Sequence, residues 1–375
     1  MTNTSVGQLL LIGISGLSLT AEEKKFIAQK NIGGVTLFAR NLQEPVQIRD
    51  LCAELQSLRQ QMPDKAPLYI AIDMEGGRVA RLKQPFTQWP PLKKLGDLDS
   101  PSATFHFAHA MGLELKSVGI NVDWAPCLDV LTNPANTVIG DRALSSNAET
   151  VAKHASALVR GYLKAEVIPC AKHFPGHGNT FIDSHTELPV EDLDSKRMEA
   201  VESLPFRRAF RSRLELLMTA HVLYKNIDPD WPVTLSSKFL QDILRDQLRY
   251  RGLVVTDDLG MKALSKYHEV KKIPVRAIQA GADLLLYCNE PDSPGLAYEA
   301  INEALSSGEL KPERIKQIHQ RVLLHKSKYL TTPDPMSAEE IGKIVGHSKH
   351  LQLAKAISEG VVPENLSADL ADGDT

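Results

Sequence analysis

The sequence predicts a single (β/α)8 barrel of the α/β class, a TIM barrel whose functional site lies at the carboxyl ends of its strands. Short apolar segments bounded by turn residues recur eight times, with helical periodicity between them, which indicates a parallel sheet closed into a barrel. An open doubly wound sheet would give the same alternation. The barrel is favoured because polar residues cluster where strands end, and barrel enzymes carry their sites there. These residues are Asp73, Asp123, Lys172, His173, His221 and Asp257.

Eight predicted strands alternate with predicted helices along the chain. The strands cover Gln8 to Gly13, Gly34 to Phe38, Leu68 to Asp73, Asn121 to Ala125, Val167 to Lys172, Leu216 to Ala220, Leu253 to Asp257 and Asp283 to Tyr287. A first helix should begin after Thr20, because Thr20 and Glu23 have the spacing of a capping box. Further helices are predicted over Val46 to Arg59, Ser102 to Val118, Ala148 to Leu163, Met198 to Arg211, Ser237 to Arg249, Pro294 to Leu305 and Pro312 to Tyr329.

Residues 1–330 are predicted to form the catalytic barrel and residues 331–375 a C-terminal tail. The tail begins with a turn or linker, Thr331 to Pro335, where two prolines follow two threonines. One or two amphipathic helices should follow, around Ser337 to Val345 and His350 to Ser358. We expect the polar, acidic end from Glu364 to be disordered, because it cannot bury an apolar face.

Composition and charge exclude several classes of protein. The net charge is −3 and the basic residues are scattered, so nucleic acid is not an expected partner. The apolar run Leu9 to Ile14 has no preceding Lys or Arg, which favours a buried strand over a secretory signal. No segment reaches the roughly 18 apolar residues of a membrane span. The four cysteines are widely spaced and fit neither a CxxC metal site nor a disulfide framework. We therefore expect a cytoplasmic protein.

The segment Lys172 to Thr180 follows the fifth predicted strand and combines a lysine, two histidines, a proline and two glycines. Such loops bring polar groups together and rarely serve packing alone. A zinc site is the alternative, because His173 and His177 are four residues apart. Pro175 and Gly176 lie between them and oppose a regular helix. We therefore expect neither a metal nor a cofactor here.

Asp183 and His185 follow the same loop and are two residues apart. On a turn or an extended segment both side chains can point the same way, and the carboxylate can hold the imidazole in one tautomer. An oriented histidine is a general acid and base near neutral pH. A purely structural His–Asp contact is the alternative, and the surrounding polar loop favours catalysis.

Two adjacent acids, Asp257 and Asp258, end the very apolar seventh strand. A carboxylate at that position projects into the mouth of a barrel and can attack an anomeric carbon. Because adjacent side chains on a strand face opposite ways, only one of the two can face a substrate. Asp258 could instead cap the following helix.

A third polar segment runs from Ile72 to Arg81 and includes Asp73, paired glycines, Arg78 and Arg81. An acid at a strand end, followed by arginines, suits a pocket that binds sugar hydroxyls through bidentate hydrogen bonds. A surface turn with solvated charges explains the pattern equally well.

Together these three segments resemble glycoside hydrolase family 3, and within it the bacterial β-N-acetylglucosaminidases. The resemblance covers residues from about 8 to 330 and is most specific in Lys172 to Thr180 with Asp183, Ser184 and His185. Further segments that match in type and order are Gly34 to Asn41, Asn121 to Arg142, Met218 to Tyr224 and Thr256 to Met261.

By position, the resemblance implies that Asp257 is the nucleophile, and that His185, held by Asp183, is the acid and base. It implies sugar binding by Asp73, Arg81, Arg142, Lys172 and His173. His177 and His221 lie near the matched motifs without an implied role. Asn179 and Met74 depart from the family, which usually has aspartate and glutamine there. Larger members add a second α/β domain, and we expect none here.

The resemblance implies a retaining exo-β-N-acetylglucosaminidase that works through a covalent glycosyl-aspartate intermediate. The expected substrate is a small carbohydrate, terminal β-linked N-acetylglucosamine from anhydro-muropeptides of cell-wall recycling, and the expected state is a monomer. A phosphorylase is a competing hypothesis, because a neutral histidine repels phosphate less than a carboxylate does. A β-glucosidase, a chitin-directed enzyme and a catalytically silent sugar-binding barrel are three further hypotheses.

Overall fold

The computed structural model describes residues 5–184, 186–330 and 333–362. Its centre is a closed barrel of eight parallel strands, in which each strand pairs with the next along the chain and the last pairs with the first. The strands are β1 Leu10–Gly13, β2 Gly34–Leu37, β3 Tyr69–Ile72, β4 Val122–Asp123, β5 Ile168–Phe174, β6 Leu216–Thr219, β7 Leu253–Asp258 and β8 Leu284–Tyr287. All eight predicted strands are therefore confirmed, and the open sheet is excluded.

Close approach of neighbouring strands depends on a glycine at the start of β2. Gly34 lies opposite Leu11 of β1 on one side and Tyr69 of β3 on the other. A Cβ at Gly34 would lie 2.5 Å from the carbonyl oxygen of Tyr69 and 2.8 Å from Cδ2 of Leu11. A larger residue would therefore force the three strands apart.

Helices surround the barrel and follow the strands in turn. Their bounds are α1 Ala21–Lys30, α2 Pro45–Ser57, α3 Leu92–Leu98, α4 Pro101–Ser117, α5 Ala148–Lys164, α6 Ser195–Ala200, α7 Leu204–Arg211, α8 Lys262–Ser265, α9 Lys272–Ala280, α10 Ser293–Ser307, α11 Pro312–Tyr329, α12 Ala338–Ile344 and α13 Ser348–Glu359. The predicted capping box at α1 is confirmed: the Glu23 amide donates to Thr20 Oγ1 at 3.1 Å, and the Thr20 amide donates to Glu23 Oε2 at 2.8 Å.

Two helical segments differ from the prediction. The single helix expected over Met198 to Arg211 is wrong, because the chain breaks between α6 and α7, where Val201 leaves the helical region. Pro205 lies in the first turn of α7, where its missing amide hydrogen costs nothing, and it opposes a helix that continues from α6. The predicted helix over Ser237 to Arg249 is present, but Lys238–Gln247 is wound as a π-helix.

The C-terminal segment packs back onto the barrel through α12 and α13. Ile341 and Ile357 are buried there. The Glu114 carboxylate of α4 accepts from the Gly346 amide at 3.2 Å and from the His350 ring at 2.8 Å. Two helices therefore lie in the regions of the tail where one or two were expected. Thr331, Thr332 and the acidic end from Glu364 lie outside the described residues.

The apolar segment near the N-terminus forms β1 and belongs to the hydrophobic core. The prediction of a buried strand is therefore confirmed for these residues. Among the described helices, none combines the length and apolar character that a membrane crossing requires. All four cysteines are buried and free.

Candidate active site

A cleft of about 460 Å³ opens at the carboxyl ends of the strands. The barrel predicts this location, because every βα loop begins at that end. Seven of the eight predicted site residues line the cleft: Asp73, Arg81, Arg142, Lys172, His173, Asp183 and Asp257. The eighth, His185, lies outside the described residues.

Alternating charges line one wall of the cleft. Arg142 donates to both carboxylate oxygens of Glu75, with each donor–acceptor distance at 2.9 Å. The Lys172 Nζ lies 2.6 Å from Glu75 Oε1 and 2.7 Å from Asp73 Oδ1. Arg81 follows, with its terminal nitrogen 3.6 Å from Asp73 Oδ2. Five charged groups thus alternate in sign, and we call this set the charge ladder.

Burial and charge act in opposite directions on the ladder. Burial by itself raises the pKa of Glu75, but Arg142 and Lys172 outweigh it and hold that pKa well below its usual range. Burial likewise lowers the pKa of Lys172, and the charges of Asp73 and Glu75 outweigh it and raise the pKa. Both groups are therefore ionised at neutral pH, and the wall presents fixed donors and acceptors suited to hydroxyl groups.

The two acids that end β7 have different surroundings. Asp258 is buried, and its carboxylate accepts from the Gly260 amide at 2.9 Å, the Asn289 side chain at 2.8 Å and the Cys288 amide at 3.3 Å. Asp257 is partly exposed to the cleft. Asp258 therefore shapes the turn after β7. It does not cap α8, whose N-cap is Met261.

His221 lies behind the end of β7 and is fully buried. Its Nε2 lies 3.1 Å from the carbonyl oxygen of Asp258, and its Nδ1 lies 2.7 Å from Thr234 Oγ1. A carbonyl oxygen only accepts, so Nε2 carries the hydrogen. His221 therefore supports the backbone beside Asp257 and does not line the cleft.

His173 is fixed by a buried carboxylate that the sequence did not single out. Asp129, on the segment after β4, accepts from His173 Nδ1 at 2.7 Å through Oδ2. Its Oδ1 accepts from the His177 amide at 2.6 Å. Asp129 therefore connects a residue of the cleft with the loop that follows β5.

His177 connects that loop with Ser184. Its Nε2 lies 3.1 Å from Ser184 Oγ, and its Nδ1 lies 2.8 Å from Thr180 Oγ1. Burial, together with the neighbouring His173, lowers the pKa of His177 to about 4. The ring is therefore neutral near pH 7 and acts as a hydrogen-bond bridge between Thr180 and Ser184.

Asp183 lies on a turn at the rim of the cleft. Its carbonyl oxygen accepts from the amides of Thr186 and Glu187, both at 3.0 Å. The carbonyl of the next residue, Ser184, accepts from the Ala263 amide in α8 at 3.2 Å. The loop after β5 is therefore tied to the segment after β7, which carries Asp257.

Cys127, Asp129 and His173 form one cluster of metal-ligating side chains among the described residues. The distances within it are those of hydrogen bonds: 2.7 Å from His173 Nδ1 to Asp129 Oδ2 and 3.3 Å from Cys127 Sγ to the same oxygen. Burial raises the pKa of the Cys127 thiol well above its usual value, and metals bind the thiolate. The donor set therefore suits a hydrogen-bonded cluster better than a metal.

Of the two departures from the expected motifs, Asn179 has a local explanation. Asn179 donates to Glu191 Oε2 at 2.6 Å and accepts from Thr132 Oγ1 at 2.9 Å. An aspartate could not donate to Glu191, so asparagine suits this loop. Met74 is buried, and its backbone amide donates to Asp123 Oδ1 at 2.9 Å.

Glu75, Asp129 and Asn289 take part in the hydrogen bonds of the site, and the sequence analysis did not select them. Glu75 could have been found, because it lies two residues after Asp73 in an already selected segment. Asp129 and Asn289 had no such signal, since their partners are distant in the sequence.

Comparison with known proteins gives matches over most of the chain. Residues 1–324 match the model of the glycosyl hydrolase family 3 N-terminal domain. The β-hexosaminidase of Nitrosomonas eutropha is 36% identical over 345 residues, which cover 89% of this chain and 96% of that protein.

Solved structures match the same region. A family 3 β-N-acetylglucosaminidase from Paenibacillus sp. is 37% identical with a TM-score of 0.89, over 96% of this chain and 68% of that chain. NagZ from Neisseria gonorrhoeae, solved with N-trifluoroacetyl-D-glucosamine, is 29% identical with a TM-score of 0.76. That match covers 95% of this chain and 98% of the NagZ chain.

Proposed function

This chain belongs to glycosyl hydrolase family 3 and is a β-N-acetylhexosaminidase, and from that premise we propose that it is a retaining exo-acting enzyme with Asp257 as its nucleophile. The observation that carries the proposal is the different state of the two acids that end β7. Asp258 is committed to three donors of the protein, whereas Asp257 is the partly exposed carboxylate on the cleft.

In the first step, a carboxylate oxygen of Asp257 attacks the anomeric carbon, and the glycosidic bond breaks. His185 gives its proton to the departing oxygen, so the leaving group departs as an alcohol. In the second step, His185 takes a proton from water, which attacks the anomeric carbon and breaks the bond to Asp257. Two displacements at one carbon retain its configuration.

The assignment of His185 draws on its neighbours in the described chain. Asp183, two residues before it, lines the same cleft as Asp257. The preceding residue, Ser184, is bonded to both His177 and Ala263, which ties the loop on both sides. We propose that Asp183 holds the His185 ring through one nitrogen and leaves the second nitrogen for proton transfer.

The charge ladder and His173 would bind the sugar. Asp73, Arg81, Arg142, Lys172 and His173 are the proposed contacts to its hydroxyl and acetamido groups. Supporting evidence is that Lys172 and Glu75 are ionised and held in place, so they need no reorganisation when a sugar arrives.

The proposed substrate is terminal β-linked N-acetylglucosamine on anhydro-muropeptides from cell-wall turnover. We place the enzyme in the cytoplasm as a monomer, with residues 1–330 as the catalytic barrel and residues 331–375 as a C-terminal tail. The related NagZ that was solved with an N-acylated glucosamine supports an acetamido sugar as ligand.

Trapping the intermediate tests the mechanism. His185→Ala should accumulate a glycosyl-enzyme with dinitrophenyl β-N-acetylglucosaminide, because that leaving group needs no acid whereas release needs the base. Mass spectrometry should find the added sugar on the peptide that contains Asp257. Asp257→Ala should lose at least about 10⁴-fold in turnover, and the exposed-site control Asp97→Asn should match the wild type.

The same assays distinguish the competing activities. Full activity of Asp257→Ala would refute the nucleophile assignment, and full activity of His185→Ala would refute the acid and base assignment. Sugar 1-phosphate formed in phosphate buffer would identify a phosphorylase. Faster cleavage of nitrophenyl β-glucoside would identify a β-glucosidase, and sugar binding without any cleavage would identify a silent barrel. Preference for chitin oligosaccharides over muropeptides would identify a chitin-directed enzyme.

A further inference from the structure

We infer that Asp129 is a positioning residue that turns His173 toward the sugar and anchors the start of the loop that carries the acid and base. This inference rests on the proposed function, since it assigns work within the same site. Asp129 is fully buried, so it acts on the substrate through neighbouring residues.

The two oxygens of Asp129 have separate partners. Oδ2 accepts from the ring Nδ1 of His173 at 2.7 Å, and the Cys127 thiol donates to the same oxygen at 3.3 Å. Oδ1 accepts from the backbone amides of His177 at 2.6 Å and His173 at 3.3 Å. The carboxylate therefore has a side-chain branch through Oδ2 and a backbone branch through Oδ1.

The side-chain branch fixes the tautomer of His173. An ionised carboxylate only accepts hydrogen bonds, so Nδ1 must carry a hydrogen. In the neutral ring Nε2 is then unprotonated and accepts a hydrogen bond. Because the His173 ring lies on the cleft wall, its Nε2 can accept a hydrogen bond that a sugar hydroxyl donates.

The backbone branch reaches the acid and base loop. Asp129 Oδ1 accepts a hydrogen bond from the backbone amide of His177. The Nε2 of the His177 ring lies 3.1 Å from Ser184 Oγ. Ser184 directly precedes His185. A change at Asp129 would therefore shift the sugar contact and the loop together.

If the role of Asp129 were purely structural, a neutral side chain would fill it at a lower free-energy cost of burial. Burying a charge is expensive, and an amide oxygen accepts backbone hydrogens equally well. Asparagine fails only in the side-chain branch, because its NH₂ group would face the Nδ1 hydrogen of His173. Burial by itself raises the pKa of Asp129, but His173 and the His177 amide outweigh it and lower the pKa to about 2. The group is thus ionised at neutral pH.

Asp129→Asn tests the inference with two readouts. In ¹⁵N spectra of the wild type, His173, assigned by loss of its signal in His173→Ala, should be protonated at Nδ1. In Asp129→Asn the proton should move to Nε2. The value of kcat/KM on a nitrophenyl β-N-acetylglucosaminide should fall roughly 10- to 100-fold, while Cys127→Ala, which removes another donor to the same carboxylate, should stay near the wild type.

A double-mutant cycle separates positioning from general damage. If Asp129 acts on the sugar through His173, Asp129→Asn should cost far less in a His173→Ala background than in the wild type. The loss in kcat/KM that Asp129→Asn still causes in the His173→Ala background should be larger for substrates with poor leaving groups. That remaining loss reports the backbone branch to the loop.

Independent, multiplying effects of the two substitutions together with an unchanged His173 tautomer would overturn the inference. So would a His173 that is protonated only at Nε2 in the wild type, and this measurement does not require Asp129→Asn to fold. Wild-type protein that cleaves no N-acetylglucosaminide would instead overturn the proposed function, while the tautomer would still decide the role of Asp129.

Discussion

Arg142 donates two hydrogen bonds of 2.9 Å to the buried carboxylate of Glu75. This pair connects the loop after β4 to the segment after β3. A bidentate pair fixes orientation as well as distance. Because Lys172 binds the same carboxylate, Glu75 holds both cations of the inner wall. The geometry of the cleft wall therefore depends on a residue that need not touch the sugar.

Glu75→Gln should destabilise the protein by about 3 kcal/mol, because it leaves the buried Lys172 and Arg142 without their shared charge partner. Urea unfolding at pH 7 measures the loss. Asp97→Asn removes an exposed pair with Lys93 and should cost less than about 0.5 kcal/mol. Equal losses in the two variants would contradict the role of Glu75.

The neutral His177 should make stability depend on pH. Its pKa is about 4 in the folded protein against an ordinary value of 6.5, so between these values the unfolded chain binds more protons. The contribution is therefore fully present above pH 6.5 and decreases as pH falls toward 4, by about 3 kcal/mol in total. Unfolding free energies of His177→Gln should vary less over this interval than those of the wild type. Parallel curves would contradict a neutral buried ring.

The packing of α13 predicts a loss of stability without a loss of activity. Ile357 is fully buried, so Ile357→Ala should lower the free energy of unfolding by about 2–4 kcal/mol. Leu351 on the same helix is half exposed, and Leu351→Ala should cost less than about 0.5 kcal/mol. Both variants should keep wild-type turnover when folded. A loss of turnover in folded Ile357→Ala would show that the tail acts on the cleft.

The four cysteines should resist alkylation in the native protein. All are buried, and burial raises the pKa of the Cys127 and Cys288 thiols, which suppresses the reactive thiolate. Mass spectrometry should find no label after brief treatment with iodoacetamide at pH 7.5, and four labels per chain after unfolding in urea. Rapid native labelling would contradict the packing. Cys288 lines the cleft, so slow labelling there should be suppressed by N-acetylglucosamine.

Most of the fold followed from local patterns. Each barrel strand is a short apolar segment that ends in turn or polar residues, so β1 to β8 could be located within a few residues. The expected continuous helix over residues 198–211 was wrong, because periodicity persists across the break between α6 and α7. Only Pro205 marked that break.

The site was predictable where it depends on strand ends. Asp73, Lys172 and Asp257 lie at or near the carboxyl ends of different strands, and closing the barrel brings them to one cleft. Choosing Asp257 over Asp258 required the family resemblance, because neighbouring residues on one strand cannot be ranked by pattern. Asp129 was missed, because its role comes from His173 on another strand, and a linear pattern contains no information on such pairs.

The pairing of β1 with β8 has a consequence for the order of folding. Leu10 of β1 lies opposite Leu285 of β8, so the barrel closes only when its first and last strands pair. Contacts between distant parts of a chain form late, because they cost the most loop entropy. During synthesis, the edge of β1 that pairs with β8 therefore stays unpaired until β8 has left the ribosome. Cys288 and Asn289, which bind Asp258, follow β8. Refolding chains should thus regain helical signal before they regain catalysis.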